Sequence, residues 1–453
     1  MLSTSLKMDM LSGSIFRKMT IFALPLIASG ALQQSLNSVD VAVVGKFDSA
    51  QALAAVGSNG MIISLLVNLF IGISVGANVI IANYIGRQNE DGIRRTVNTV
   101  AILAVISGII LAITGNMFAR PILTWMDTPE DVIDLAAVYL RIIFSGMPFM
   151  MIYNFGAAIL RSMGDTKRPF YILIAGGTVN AVLDIALVLL FDMGVAGVAT
   201  ATVIANAVNA IIMIKLLMSE KAPFNIDIRN LRIHTQELKK VLRIGVPAGL
   251  QGMIFSIANV FIQSAVNRFG SDVVAGNGAA INFEYYCYFV ISAYSQAAVA
   301  FTSQNYGAGN YARCKRIFVQ SMTLSVVTCA ILNIIIYAMR TEMAGIFTNS
   351  PTVMDYASTR IAIVLLFQFI ASSYEVSGAC LRGLGYSMTP TVITIFGTCL
   401  FRLLWIYAIN PDCDYEGLLW VYPVSWVITG AVVCCAYLMI SHRIFNAPPR
   451  AIG

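Results

Sequence analysis

Two aspartates stand where charged residues are rare. Asp40 lies in Gln33-Gln-Ser-Leu-Asn37-Ser-Val-Asp40-Val-Ala-Val-Val, and Asp184 in Asn180-Ala-Val-Leu-Asp184-Ile-Ala-Leu-Val. An ionisable group surrounded by hydrocarbon is costly, so by default it marks a functional site. Asn180 precedes Asp184 by four residues, which puts both on one helix face. Asn37 lies one turn before Asp40 and Gln33 one turn earlier, a polar stripe that supports Asp40. Thr202 lies about eight residues into the apolar stretch after Asp184. At 1.5 Å per residue, Asp40, Asn180, Asp184 and Thr202 sit roughly 8–15 Å below one membrane boundary. Two carboxyls, an amide and a hydroxyl at one depth form an oxygen-rich cluster. Two carboxylates side by side cannot both stay ionised without a partner, so a proton or a cation such as Na⁺ is expected between them. Oxygen-only ligands argue against zinc or copper, as do His234 and His442, which fall in segments read as cytoplasmic, the linker and the tail. The alternative is that each acid caps an unrelated packing network or faces water.

The second half of the chain holds a different ionisable set: Glu284, Glu375 and Arg402. Glu284 and Arg402 fall at similar depths. Either they neutralise one another, or Glu284 faces a cleft and attracts cations. Around them run Tyr285, Tyr286, Tyr288 and Tyr294, and in the first half Met147, Phe149, Met150, Met151 and Tyr153. Aromatic faces hold organic cations and methionine adapts to varied shapes, although such stripes equally pack or face lipid. Glu284, Tyr153, Tyr285 and Met150 are the candidates for a substrate cleft.

These residues need a scaffold, and the composition states its class. Of 453 residues, 58% are apolar and 11% charged, with a mean hydropathy of +0.77. Soluble domains carry roughly 25% charged residues. A soluble enzyme, a disordered chain and a coiled coil are excluded, leaving an integral membrane protein. At about 20 apolar residues per helix plus a connection, the length accommodates about twelve spans. They are read as 15–44, 52–82, 93–118, 132–157, 168–191, 194–218, 241–268, 274–303, 314–339, 356–381, 388–410 and 417–441. The expected layout is an N-terminal segment 1–14, a first lobe 15–218, a linker 219–240, a second lobe 241–441 and a tail 442–453. The first span reads as retained, with no cleavage site.

Most of the 29 Lys and Arg fall at the N-terminus, in the linker (Lys221, Arg229, Arg232, Lys239, Lys240), in alternate loops and in the tail. The positive-inside rule then places both termini in the cytoplasm. The opposite face is acidic, with Asp127, Glu130, Asp131, Asp134, Asp412, Asp414 and Glu416. The basic loops orient the chain and do not indicate nucleic-acid binding.

The halves repeat. Pro25 matches Pro247, Lys46-Phe47 matches Arg268-Phe269, and Asn83-Tyr84 matches Asn305-Tyr306, each 222 positions on; Leu160-Arg161-Ser-Met-Gly164 matches Leu381-Arg382-Gly-Leu-Gly385, 221 positions on. Two six-span copies enter the membrane the same way round. They predict a pseudo-twofold pair of lobes about a central cleft, a layout suited to alternating access. Pro25 and Pro247, inside their spans, are the candidate hinges. Asp40 falls opposite Ile262 and Asp184 opposite Trp405, so the acids belong to the first lobe alone.

These segments resemble the multidrug and toxic-compound extrusion (MATE) family over about residues 14–441. The telling stretches are Pro25 through Val-Asp40-Val-Ala-Val-Val-Gly45, Asn83-Tyr84-Ile-Gly86, Leu160-Arg161-Ser-Met-Gly164-Asp165-Thr166 and Leu381-Arg382-Gly383. Asp40, Asn180, Asp184 and Thr202 resemble the first-lobe cation site of its bacterial DinF-like branch. The resemblance implies an all-α protein of twelve helices in two lobes, which exports organic, often cationic compounds in exchange for Na⁺ or H⁺. It also implies that the first span shifts when Asp40 changes occupancy. In another branch an acid in the seventh span helps carry the coupling; here that span has Gln251 and Gln263 instead. The expected setting is a monomer in the inner cell membrane, with the lipid bilayer and small organic molecules as partners and no tightly bound cofactor.

Other readings are weaker. A flippase for lipid-linked oligosaccharides would share the class and call for more cleft arginine. A channel would show no exchange stoichiometry. Enzyme signatures are missing: no GxxxxGK[ST] loop, no HExxH, no CxxC among eight cysteines. Gly176-Gly177 and Gly194-Val-Ala-Gly197 read as helix contacts.

Overall fold

A computed structural model describes residues 8–47, 49–126, 128–409 and 413–446. Asp127 and Asp412, expected on the acidic face, lie outside the described residues, as do 1–7 of the N-terminal segment and 447–453 of the tail. Regular structure among the described residues is helical throughout. In the first half it runs α1 (Ile15–Phe47), α2 (Ala50–Gly86), α3 (Glu90–Trp125), α4 (Glu130–Ser145), α5 (Met147–Ser162), α6 (Lys167–Leu189) and α7 (Gly194–Met218). The second half runs α8 (Thr235–Asn267), α9 (Ser271–Gly307), α10 (Tyr311–Ala338), α11 (Arg340–Gly345), α12 (Pro351–Arg360), α13 (Ser372–Gly383), α14 (Met388–Thr394), α15 (Phe401–Leu404), α16 (Tyr415–Leu419) and α17 (Val421–Phe445).

Twelve helical spans emerge, as the composition requires. Ten are long and apolar enough to cross a membrane, and α4 with α5, bent by 46°, makes an eleventh. That bend sits at Gly146, where Pro148 in the first turn of α5 has no N–H to extend the ladder from α4. The remaining span is α9. At 37 residues it is long, but Asn277, Asn282, Glu284, Gln296, Gln304 and Asn305 lower its apolarity. In lipid a backbone must satisfy its own hydrogen bonds, which is why every span is a helix.

Packing divides the chain into two compact units. Unit 1 is Met1–Met8 with Ala28–Gly249, and unit 2 is Asp9–Ile27 with Leu250–Gly453. The expected lobes 15–218 and 241–441 therefore differ at their edges: α1 opens in unit 2 and finishes in unit 1, and α8 does the reverse. Both helices run unbroken through their prolines. Each transfer comes two residues after a proline, Pro25 and Pro247.

Within unit 1 the first turns of α8 pack on α2 with no side chain between. A Cβ on Gly72 would lie 2.1 Å from the Gly249 nitrogen, and one on Gly76 2.3 Å from the Val241 carbonyl. Such close approach is typical of membrane helices. Gly176 makes room for the Asn209 side chain and Gly177 for Leu36, so these glycines are the helix contacts that the sequence predicted.

The repeat is visible in the backbone. After α2, Arg87 N–H donates to Asn83 C=O, Gln88 adopts φ +55, and Asn89 N–H returns to Tyr84 C=O. After α9, Ala308 donates to Gln304, Gly309 adopts φ +72, and Asn310 returns to Asn305. Asn89 and Asn310 then cap the next helix through their side chains. Structural equivalence here is 221 positions, one less than the match of Asn-Tyr to Asn-Tyr. The Leu-Arg-x-x-Gly motifs are helix ends: Gly164 and Gly385, at φ +85 and +92, donate to Arg161 and Arg382, and the next residue donates to Leu160 or Leu381.

Three π-helical turns have no sequence signal. Arg360, closing α12, is followed by a π-helical turn at Ile361–Leu365, where Leu366 N–H donates to Ile361 C=O at 2.9 Å. Span eleven carries two more, Ile395–Leu400 and Trp405–Ile409, on either side of α15. All three lie in unit 2.

Candidate functional site

Unit 1 brings the predicted acids together. α1 supplies Asp40, 7% exposed, and α6 supplies Asp184, fully buried. Their carboxyl groups lie within hydrogen-bonding reach of each other, yet neither oxygen of Asp184 meets a donor, and Oδ1 of Asp40 meets none either. Thr202 Oγ1 of α7 lies 3.5 Å from Asp40 Oδ2 and 3.1 Å from the Val198 carbonyl, and its single proton serves one of them at a time. Asn180 is buried one turn before Asp184, with its amide nitrogen unmatched.

Tyr139 of α4, 8% exposed, lies near enough to interact electrostatically with both acids. Sequence reading passed over it, because a tyrosine inside an apolar span has no distinguishing signal. The proposed support from Gln33 and Asn37 is not built into this cluster: both are exposed, while Asp40 on the same helix is buried. The chemistry follows from the arrangement. Buried oxygens converge, no basic side chain is bonded to either carboxyl, and only a proton or a small hard cation could join the two acids.

Unit 2 corrects the reading of Glu284. Its partner is not Arg402. Arg360 grips it in a fork, Nε to Oε1 at 2.6 Å and Nη2 to Oε2 at 2.9 Å, and gives Nη1 to Asn277 Oδ1 at 2.6 Å. Sequence reading overlooked Arg360, which lies four residues into its span. Held bidentately and only 13% exposed at its side chain, Glu284 is committed to the scaffold rather than free to recruit cations.

Other cleft candidates also separate. Tyr153 is buried and donates its hydroxyl to the Pro169 carbonyl at 3.0 Å, fixing α5 to the start of α6. Met147, Met151 and Tyr294 are core, Met150 is half-buried, and Tyr285, Tyr288 and Phe149 are exposed. Glu375 accepts from Tyr288 at 3.5 Å and lies in the field of Arg382, which itself donates to Gln251 Oε1 at 2.7 Å.

Known proteins share this organisation. The MatE family model matches twice, over residues 25–186 and again over 247–408. The Probable multidrug resistance protein YoeA of Bacillus subtilis is 30% identical over 425 residues, 92% of each chain. The Probable multidrug resistance protein NorM of Thermotoga maritima is 26% identical over 393 residues, 86% of this chain and 84% of that one. The fold is shared with a multidrug resistance MATE family transporter of the MOP superfamily in an outward-facing conformation, at a TM-score of 0.89 and 22% identity, over 98% of this chain and 99% of that one. With one match per repeat and relatives similar along almost the whole length, this multi-pass membrane chain belongs to the MatE family of transporters.

Proposed function

We propose that this protein is a secondary active exporter of organic, often cationic compounds, driven by entry of a proton or Na⁺ at the Asp40–Asp184 pair. The observation that carries the reading is two buried carboxyls facing each other with no donor for three of their four oxygens. Such a pair cannot hold two charges, so its occupancy must change when protons or cations change. The relatives' description as multidrug resistance proteins supplies the substrate class. The basic loops support an orientation in the cell membrane with both termini cytoplasmic.

Export then proceeds by alternating access. An organic compound binds from the cytoplasm while the acid pair is empty. A cation arriving from outside fills the pair, α1 repacks beyond Pro25, and the compound is released outward. By linkage, each ligand lowers the affinity for the other by the same factor. One charge moving through 100 mV provides about 2.3 kcal/mol. At 1.4 kcal/mol per tenfold, that sustains a substrate gradient of roughly forty- to fiftyfold, so no ATP site is needed.

The test is dye export from proteoliposomes, with a pH gradient and a Na⁺ gradient imposed separately. Export should follow one gradient, and Asp40→Asn or Asp184→Asn should abolish that dependence in protein that still purifies as a folded species. Undiminished, gradient-driven export by both variants would refute the coupling site.

A further inference from the structure

Among the described residues Arg402 has no counter-charge. It is 1% exposed inside unit 2, and its Nε donates to Ser425 Oγ at 3.2 Å. Its guanidinium lies 4.5 Å from the ring centre of Tyr422 and 5.3 Å from that of Phe255. The groups acting on it electrostatically are Tyr422, Tyr374, Cys399 and Arg360, none of them a carboxylate. Its Nη2 finds no hydrogen-bond partner. Arg360 sits over the same Tyr422 ring at 5.0 Å, but Arg360 has Glu284. Two guanidiniums and one carboxylate leave this centre with one positive charge unmet.

The repeat shows where this charge lies. At the structural spacing of 221, Arg402 falls opposite Ala181, beside Asn180, and Arg360 falls opposite Tyr139. α6, which holds Asp184, and α4, which holds Tyr139, thus have sisters holding a basic centre in unit 2. Each buried arginine also abuts a π-helical turn, a distortion that recurs at functional sites.

We propose that unit 2 contains a binding site for an oxyanion, a carboxylate or phosphate group on a small molecule, centred on Nη2 of Arg402. A guanidinium cannot shed its proton to escape burial. Aromatic rings offer it partial compensation, but an open N–H calls for an acceptor. A planar fork donor suits the oxygens of a carboxylate or phosphate. The site is separate from the acid pair and stands whether or not that pair couples export.

The test uses purified full-length protein and a matched pair of fluorophores, 4-methylumbelliferyl phosphate and 4-methylumbelliferone, which differ by the phosphate. Binding is followed by fluorescence anisotropy. The parent should bind the ester at least tenfold more tightly than the phenol. Arg402→Met should remove that preference and leave the phenol unchanged, and Arg402→Lys, which keeps charge without the fork, should fall between. Competition by inorganic phosphate would identify a free anion as the occupant. Loss of ester binding in nanodiscs containing phosphatidylglycerol, but not in phosphatidylcholine alone, would identify a lipid headgroup; both outcomes uphold the site. Arg402→Met should be at least as heat-stable as the parent, since an uncompensated charge is gone. Equal binding of ester and phenol by the parent, an unchanged ester preference in Arg402→Met, or an Arg402→Met chain that fails to fold would each overturn the proposal.

Discussion

Removing either partner of the Glu284–Arg360 pair should cost very different amounts, and removing both should cost little. Breaking a buried pair by deleting one member typically costs about 3–5 kcal/mol, because the other charge stays behind unpaired. Here the two halves are unequal. Arg360→Met strands Glu284, but a carboxylate can take up a proton and shed its charge. Glu284→Gln strands Arg360, which cannot deprotonate, beside Arg402, whose field already opposes it. Glu284→Gln therefore lies at or above the upper end of that range and Arg360→Met at the lower end. The double variant retains only the amide near Asn277 and should fall within about 1–2 kcal/mol of the parent. On the globular scale of roughly 2.1 cal/mol/K per residue, a chain of this length shifts by about 1 °C per kcal/mol. The single variants should then melt about 3 °C and 5 °C low, and the double variant within about 2 °C. Thermal unfolding of detergent-purified protein, read by size-exclusion chromatography after graded heating, provides the measurement. Singles that melt with the parent, or a double variant as unstable as the two singles summed, would show that the pair is not a buried structural link.

Three further changes test the scaffold. Tyr153→Phe removes the hydroxyl bonded to Pro169 and should cost about 1 kcal/mol while leaving the profile of exported dyes intact; an altered profile at parental stability would instead return Tyr153 to a cleft. Gly72→Ala drives a Cβ into the Gly249 backbone at 2.1 Å and should abolish the monodisperse peak of the detergent extract, whereas Gly278→Ala, with nothing within 4 Å, should elute as the parent does. Gly385→Ala, at φ +92, should cost about 1–2 kcal/mol; Gly164→Ala should cost more, because its Cβ would also come 2.7 Å from the Met8 carbonyl. Equal melting of these two variants would contradict the second contact.

Apolar length and the internal repeat were legible because both follow from the medium: lipid demands helices of fixed length, and duplication leaves matched end signals. Asp40 and Asp184 could be paired by depth alone. Rotation about the helix axis was harder to read. In a soluble helix the polar face reports the direction of the core, but here lipid and interior are both apolar. Gln33 and Asn37 share a stripe with Asp40 and still lie exposed. Depth also misled the pairing of Glu284: Arg402 is expected at its level from the sequence, but Arg360 is the residue that bonds it. The π-helical turns depend on packing across many residues, and no local motif encodes them, whereas the transfers of α1 and α8 between units fall beside Pro25 and Pro247.

The exchange of opening turns has a consequence for ancestry. Residues 9–27 pack with the second copy and the turns up to 249 with the first, so a lone ancestral half would have had to place its leading end on its own bundle or on that of a second chain. Two such chains could complete each other by trading their leading ends, as domain-swapped dimers do. Fusion into one polypeptide makes that exchange permanent.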